Sequence, residues 1–370
     1  MAGIYIHIPF CKQACHYCNF HFSTSLRRKN ELIAALLKEI VLQQGYLEGD
    51  TVETIYFGGG TPSLCSMAEL KTILQTLEQH FAVIKNPEIT LETNPDDISP
   101  STLSGWLDTG INRLSIGVQS FFEEDLKWMN RAHTAYQARK ALEDATRYFS
   151  NITADLIYGT PFLTDDRWEQ NIAQMTALDI PHLSCYALTV EPQTMLHKLI
   201  SKSKSPDITP DQQARQFLFL MEYLEHKGYE HYEISNFSKP GFRSRHNSSY
   251  WQGKHYLGIG PSAHSFNGTS RQWNISNNQV YIRTLSEGTI PFEKEVLTPV
   301  QQHNEYIMTS LRTAEGLNLA LFEETEQEII RERIRKYREH GLLTEENGFI
   351  KLIKKGRLMA DGIASDLFFD

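Results

Sequence analysis

Six times before Gly228, a short run rich in Ile, Val, Tyr, Leu and Phe gives way to a segment whose apolar residues recur three and four positions apart. This switch between a two-residue and a 3.6-residue period confines the chain to repeated βα units. Each helix then carries the chain back before the next strand, so the strands run parallel. The spacing predicts strands at Ile4 to Ile8, Thr54 to Phe57, Glu88 to Glu92, Arg113 to Val118, Thr153 to Tyr158 and His182 to Leu188. The plainest helix carries Leu32, Leu36 and Ile40 on one face beside Ile33 and Leu37, with Gly45 as its stop. Others are expected near Met67 to Gln79, Pro100 to Asp108, Ala135 to Tyr148, Arg167 to Ala177 and Asp211 to Lys227. Six units make three quarters of an eightfold barrel. The fold class expected is therefore α/β, an open partial (β/α)6 barrel with its chemistry at the C-terminal ends of the strands.

At 370 residues the chain is long enough for that barrel and a smaller appendage. The barrel is assigned to residues 1–228. The alternation then breaks into a Gly-, Ser-, Asn- and aromatic-rich run from Tyr229 to Trp273, read as a surface built around a ligand, within an extension spanning 229–298. From Pro299 the pattern turns helical, with Ile330, Ile334 and Tyr337 as an apolar stripe, and Asn347-Gly348 between Leu343 and Ile350 predicts a tight hairpin. Residues 299–370 are thus expected to form a small α+β, winged-helix-like domain. No apolar run is long enough to cross a membrane, and the first residues alternate as a strand does and not as a leader does, which predicts a cytoplasmic protein. Lys+Arg 36 against Asp+Glu 45 leaves a net charge of −9, which argues against a nucleic-acid partner.

Cysteine use is lopsided. Three of five cysteines, Cys11, Cys15 and Cys18, fall within eight residues just after the first strand, while Cys65 and Cys185 stand alone. Such clustering points to metal ligands, not a disulfide framework. Three thiolates on one loop can hold three corners of a 4Fe-4S cluster and leave the fourth iron open to a chelating substrate. A Cys3His zinc site completed by His16, His7 or His21 is the alternative. Tyr17, Phe20 and Phe22 would give a cluster aromatic cover.

The predicted strand ends carry groups that a buried apolar sheet has no use for. Gly58-Gly59-Gly60-Thr61-Pro62 closes the second strand, where missing side chains let backbone approach a ligand. Glu92 and Gln119 stand at the ends of the third and fourth, Asp155 stands in the fifth within Ala-Asp-Leu-Ile-Tyr-Gly, and Arg131 lies in Met-Asn-Arg-Ala-His. Taken singly, each could be a turn, a cap or a salt bridge. Together they offer what a zwitterionic, polyhydroxylated ligand needs.

The C-x3-C-x2-C loop behind strand one of a βα arc resembles the radical S-adenosylmethionine (SAM) superfamily, and the resemblance covers nearly the whole chain. It implies a 4Fe-4S cluster on Cys11, Cys15 and Cys18 that chelates SAM at its open iron and passes one electron into the sulfonium, releasing methionine and a 5'-deoxyadenosyl radical. Within the superfamily the chain is similar to the anaerobic coproporphyrinogen-III oxidase family. That match implies a SAM site of Tyr5, Gly59, Gly60, Thr61, Glu92, Gln119, Arg131 and Asp155, with Ala187 and Ile259 matching by position more than by chemistry.

That family holds a porphyrinogen-decarboxylating branch, whose cysteine motif continues C-x-C after an N-terminal segment, and a haem-chaperone branch, HemW. This chain reads Cys18-Asn19-Phe20, and its first strand starts almost at Met1. Arg245-His246-Asn247-Ser248-Ser249-Tyr250-Trp251 fits the H-N-x-x-Y-W motif of the chaperone branch, which Tyr256-Leu-Gly-Ile-Gly-Pro-Ser-Ala-His-Ser-Phe and Leu-Met-Ala-Asp-Gly-Ile-Ala-Ser-Asp-Leu-Phe also resemble. The resemblance implies a haem site with His246 as axial ligand and Tyr250 and Trp251 stacked on the macrocycle, with His231, His255 and His264 as rival ligands. By chemistry alone the favoured reading is the plainer one, Tyr250 and Trp251 as core and His246 as a hydrogen-bonded polar residue, and it is the family resemblance that reverses this.

The function implied is a haem chaperone that binds a cluster, SAM and haem and delivers haem to acceptor apoproteins, respiratory enzymes among them, with an electron donor for the cluster. The alternative is an oxygen-independent coproporphyrinogen III dehydrogenase. A third class, a nucleic-acid-modifying radical SAM enzyme, is disfavoured by the acidic charge. The scaffold is compatible with SAM cleavage, whereas the dehydrogenase activity is not expected.

Overall fold

The computed structural model describes all residues from Met1 to Asp370. Six strands, β1 (Ala2–Ile8), β2 (Val52–Gly59), β3 (Val83–Thr93), β4 (Arg113–Gln119), β5 (Ile152–Tyr158) and β6 (His182–Ala187), pair in parallel in sequence order. Between and after them run α1 (Lys29–Leu42), α2 (Met67–His80), α3 (Pro100–Asp108), α4 (Glu123–Trp128), α5 (Ala135–Tyr148), α6 (Asp165–Ala177), α7 (Met195–Ser201) and α8 (Pro210–His226). The fold is the α/β parallel arc that the periodicity predicts. Helices α3 and α5 keep the expected limits because both are opened by reciprocal caps, Ser99 with Thr102 and Thr134 with Gln137. Helix α1 stops at Leu42, ahead of Gly45, and the left-handed residues of the following turn are Glu48 and Gly49.

Each parallel strand has two unlike faces. One set, including Ile4, Ile6, Phe57, Leu91, Ile116, Leu156 and Leu183, packs beneath the helices in a single core of 54 buried residues. The alternate set is polar or small: Tyr5 and His7, Thr54 and Tyr56, Glu88 and Glu92, Arg113 and Ser115, Thr153 and Asp155, His182 and Ser184. These residues bond to one another across the concave side, as Tyr56 does to Glu92 and Thr153 to His182. Buried polar groups survive there because they are paired, and the interior thus provides a polar socket without weakening the outer core.

The run from Tyr229 to Trp273, read from the sequence as a surface built around a ligand, completes both edges of the sheet. Strands β7 (Glu230–Glu233) and β8 (Asn236–Ser238) extend it beyond β6, and β9 (Tyr256–Ile259) pairs in parallel with β1, from Gly3 opposite Tyr256 to Ile6 opposite Ile259. Antiparallel β10 (His264–Phe266), β11 (Ser270–Asn274) and β12 (Phe292–Val296) bring the sheet to twelve strands. Strands of three to five residues are too short to display an alternation. Helices α9 (Arg245–Trp251) and α10 (Asn278–Ser286) punctuate this region.

The C-terminal part has its own core of 14 buried residues, built by α11 (Pro299–Leu311), β13 (Leu317–Asn318), α12 (Glu324–Glu339), the hairpin β14 (Leu343–Glu346) and β15 (Phe349–Leu352), α13 (Lys354–Arg357) and α14 (Ala360–Leu367). Asn347 at φ 52° and Gly348 at φ 78° make the predicted two-residue turn.

One buried carboxylate ties the added strands to the barrel. Glu39 of α1 accepts from Gly260 N–H at 2.8 Å, from Asn274 Nδ2 at 2.6 Å and from the Tyr281 hydroxyl. Burial pushes its carboxyl from 4.5 up to about 7 in spite of these bonds. Between those two values the folded chain holds a proton that the unfolded chain has released, so stability falls as pH rises. Wild type is therefore expected to lose on the order of 3 kcal/mol between pH 4.5 and 7 relative to Glu39→Gln, read from urea unfolding at a series of pH values. A difference between the two proteins that does not change with pH would contradict this assignment.

Candidate functional site

The C-terminal ends of the parallel strands open into a cavity of about 500 Å³. Its floor begins with the loop between β1 and α1, which the chain holds by backbone at both ends. Cys11 N–H donates to the Ser23 carbonyl, and Ser23 N–H donates to that of Pro9. In the middle, His16 N–H donates to Met129 O, Gln13 Nε2 to Asn130 O and Oδ1, and Asn130 Nδ2 to Ala14 O. The segment joining α4 to α5 thus clamps the loop that bears the thiols.

Cys11, Cys15 and Cys18 all line the cavity. They line it without converging on a point the size of a single ion. Burial pushes the thiols of Cys11 and Cys18 up, the latter to about 11, so ionising them requires a positive centre among them. The histidines that a zinc site would recruit lie outside the cavity. His7 Nε2 donates to His21 O at 3.0 Å, His16 Nδ1 to Trp128 O at 2.8 Å, and His21 Nε2 meets Asn278 Oδ1 at 2.7 Å. The donor set therefore fits a bulky cluster held by three thiolates better than a closed Cys3His ion.

Gly59, Gly60 and Thr61 form the next wall. Gly59 has φ 104°, and a Cβ there would stand 2.5 Å from the His7 ring, while one on Gly60 would stand 2.6 Å from Phe10 O. Only glycine lets this strand end run so close to the cysteine loop. Gly59 N–H donates to Glu92 Oε2 at 3.1 Å and the Tyr56 hydroxyl to Oε1 at 2.9 Å. Burial still lifts the Glu92 carboxyl to about 7, and it lifts Asp155, beside Ser184 and Ser115, to about 6.

Two side chains present unmet polar atoms. Gln119, at φ 69°, is buried with no partner for Oε1, and Arg131 has none for Nε. Arg131 Nη2 donates to Asn94 Oδ1 at 2.5 Å and Gly117 O at 2.7 Å, and Nη1 lies 3.4 Å from both Cys15 Sγ and the Tyr17 hydroxyl. Buried orphans of this kind mark a place where a polar ligand completes the bonding. Gly59, Gly60, Thr61, Glu92, Gln119, Arg131, Asp155 and Ala187 thus share one cavity with the three cysteines.

Tyr5 and Ile259 do not line it. Tyr5 lies one layer below, stacked on Tyr56 at 6.0 Å, with its hydroxyl 3.3 Å from His7 Nδ1. Ile259 is fully buried in the main core. Asn94, Ser115, Gly117 and Tyr186 line the cavity and are absent from the sequence-derived set. For Ser115, Gly117 and Tyr186 the signal was the concave-side parity of β4 and β6, whereas Asn94 follows the end of β3.

His246, Tyr250 and Trp251 also lie outside the cavity, and here the structure corrects the axial-ligand expectation. His246 is 1% exposed, with Nδ1 2.7 Å from Thr54 Oγ1 and Nε2 2.9 Å from the Tyr250 hydroxyl, so neither nitrogen is free for iron. Trp251 is half-buried beneath the Arg312 guanidinium, 5.5 Å from its ring. Of the rivals, His231 donates to Ile234 O at 3.1 Å, His255 meets Asp50 at 2.8 Å, and the exposed His264 lies over Trp273.

Comparison with known proteins gives the family and the fold. Residues 5–175 match the radical SAM superfamily, and residues 297–359 match the HemN C-terminal domain. The chain is 32% identical over 371 residues to the heme chaperone HemW of Mycobacterium tuberculosis, covering 99% of this chain and 94% of the relative. It is 31% identical to heme chaperone HemW of Bacillus subtilis, covering 98% of each. Among solved structures, coproporphyrinogen III oxidase (HemN) of Escherichia coli superposes with a TM-score of 0.84 over 99% of this chain and 90% of that one, at 22% identity. That likeness shows the fold.

Proposed function

Because the chain belongs to the HemW family of the radical SAM superfamily, we propose that it is a haem chaperone that binds a 4Fe-4S cluster and SAM in the cavity and delivers haem to acceptor apoproteins. When bound, the cluster supplies one electron to the SAM sulfonium. Cys11, Cys15 and Cys18 would hold three of its corners. Arg131 and the Gln119 amide would meet the carboxylate and polar groups of SAM, and Glu92 and Asp155 would accept from its ammonium and ribose hydroxyls. Gly59 and Gly60 leave room for the ligand.

The observation that carries the chaperone reading is Phe20. Two residues beyond Cys18, where the decarboxylating branch has a further cysteine, it lines the cavity mouth 67% exposed. Tyr186 lines the same cavity at 42% exposure. Large apolar rings left in solvent suit a flat, greasy ligand that must also leave. These rings support a haem site at this mouth in preference to one at His246. No helix is long and apolar enough to cross a membrane. The cytoplasm is the compartment proposed, with a soluble electron donor and acceptors that include respiratory enzymes.

Anaerobically reconstituted protein should bind haem stoichiometrically and should not convert coproporphyrinogen III to protoporphyrinogen IX. Phe20→Ala should weaken haem about tenfold, or about 1.4 kcal/mol, while His246→Ala leaves the Soret band in place. Absence of stoichiometric haem binding, or efficient two-step decarboxylation, would overturn the chaperone reading.

A further inference from the structure

The Arg245–Trp251 helix lies at the end of the barrel opposite the cavity, yet a cluster of near-parallel rings and one hydroxyl join the two. The chain of contact starts at β3, whose concave face carries both Glu88 and Glu92, four residues and so about 13 Å apart. At the lower end, the Glu88 carboxylate accepts from Arg245 N–H at 3.1 Å and His246 N–H at 2.9 Å, which fixes α9 to the barrel. The His246 ring is then pinned at both nitrogens by Thr54 and Tyr250. It is buried and neutral, and the two hydroxyls, each able to donate or accept, satisfy either tautomer.

A ring held at both ends cannot tip, and Tyr56 lies flat on it, with centroids 4.9 Å apart and planes at 24°. Tyr5 packs beside both rings, 6.0 Å from Tyr56 and 6.5 Å from His246. Two glycines make room for it. A Cβ on Gly3 would stand 3.2 Å from the imidazole, and one on Gly58 would stand 2.8 Å from Tyr5, 2.9 Å from Tyr56 and 3.0 Å from Glu92 Oε1. The His246 imidazole thus covers one face of the Tyr56 ring, Tyr5 packs beside both, and the Tyr56 hydroxyl ends on Glu92.

We propose that His246 is a positioning residue for the cavity: through the stacked Tyr56 it fixes the hydroxyl that holds Glu92, so the Arg245–Trp251 helix sets SAM affinity without touching SAM. The inference rests on the reading of Glu92 as a SAM-binding residue. It gives the motif a task that its buried nitrogens can perform.

The test is a double-variant cycle on SAM binding to the reconstituted protein, with iron content and melting temperature as controls and the SAM-induced change in the EPR spectrum of the reduced cluster as a second readout. Tyr56→Phe removes only the hydroxyl on Glu92, and His246→Phe keeps a ring but removes both pins. Each should raise the Kd for SAM about fivefold at full iron loading, and the EPR change should need correspondingly more SAM. Combined, they should be no worse than Tyr56→Phe alone, because both act through one bond. Additive losses, or an unchanged Kd in His246→Phe while Glu92→Gln binds SAM poorly, would overturn the inference alone. Failure of Glu92→Gln to weaken SAM, or of wild type to bind it, would overturn the inference and its premise together. If His246→Phe does not fold, Thr54→Val removes one pin and carries the same test.

Discussion

Cys11→Ala, Cys15→Ala and Cys18→Ala are each expected to abolish cluster assembly, whereas Cys65→Ala and Cys185→Ala leave it intact. The loop supplies only three thiols, and no histidine lines the cavity to replace a lost one. A cubane anchored at two corners exposes two irons to solvent and ligand exchange, so the loss should be close to complete. Cys65 and Cys185 lie in the main core, 4% and 1% exposed, and burial holds both thiols protonated, Cys65 up to about 12. Such cysteines behave as small hydrophobes. Iron and sulfide analysis after anaerobic reconstitution reads the result. Full loading in a triplet variant would refute the assignment, as would stoichiometric zinc in wild type.

Much of this site is legible in the sequence because the barrel separates its two tasks by parity along each strand. Leu91 and Glu92, or Ile116 and Gly117, are neighbours in sequence and face opposite sides of the sheet, so a carboxylate or glycine in an apolar run already marks the concave side. The cysteine loop is legible for a different reason, since its ligands are local. What the sequence does not reveal is which concave residues meet. Asn94 reads as a turn residue before Pro95, and only the fold brings its Oδ1 to Arg131. His246 misleads in the opposite way. A histidine beside Tyr250 and Trp251 has the composition of a haem site, but the helix that carries it turns the imidazole inward onto Thr54, a contact between residues 192 positions apart. Residue type reports what a side chain can do, and the partner that occupies its lone pairs is set by topology.

Arg131→Met should lower SAM affinity about a hundredfold, or about 3 kcal/mol, and move the cluster potential to more negative values. Arg131 is the cation at the cavity wall whose guanidinium reaches toward the thiols, with Nη1 3.4 Å from Cys15 Sγ and Nε without a partner. Its free edge is where a carboxylate would form charge-assisted bonds. A positive charge and a hydrogen bond at a cluster sulfur both favour the reduced, more negative state, so losing them makes reduction harder. Methionine retains the buried volume, and Asn94 Oδ1 and Gly117 O lose their donor, so a modest fall in melting temperature is expected as well. Arg131→Lys separates the effects. A point charge restores part of the potential, but without the planar fork it cannot serve Asn94, Gly117 and a ligand together, and SAM affinity should stay low. Equilibrium SAM binding and a redox titration of the cluster measure the two effects independently. A potential that falls with SAM affinity intact would keep Arg131 as a neighbour of the cluster and remove it from the SAM site, whereas no change in either would remove it from both.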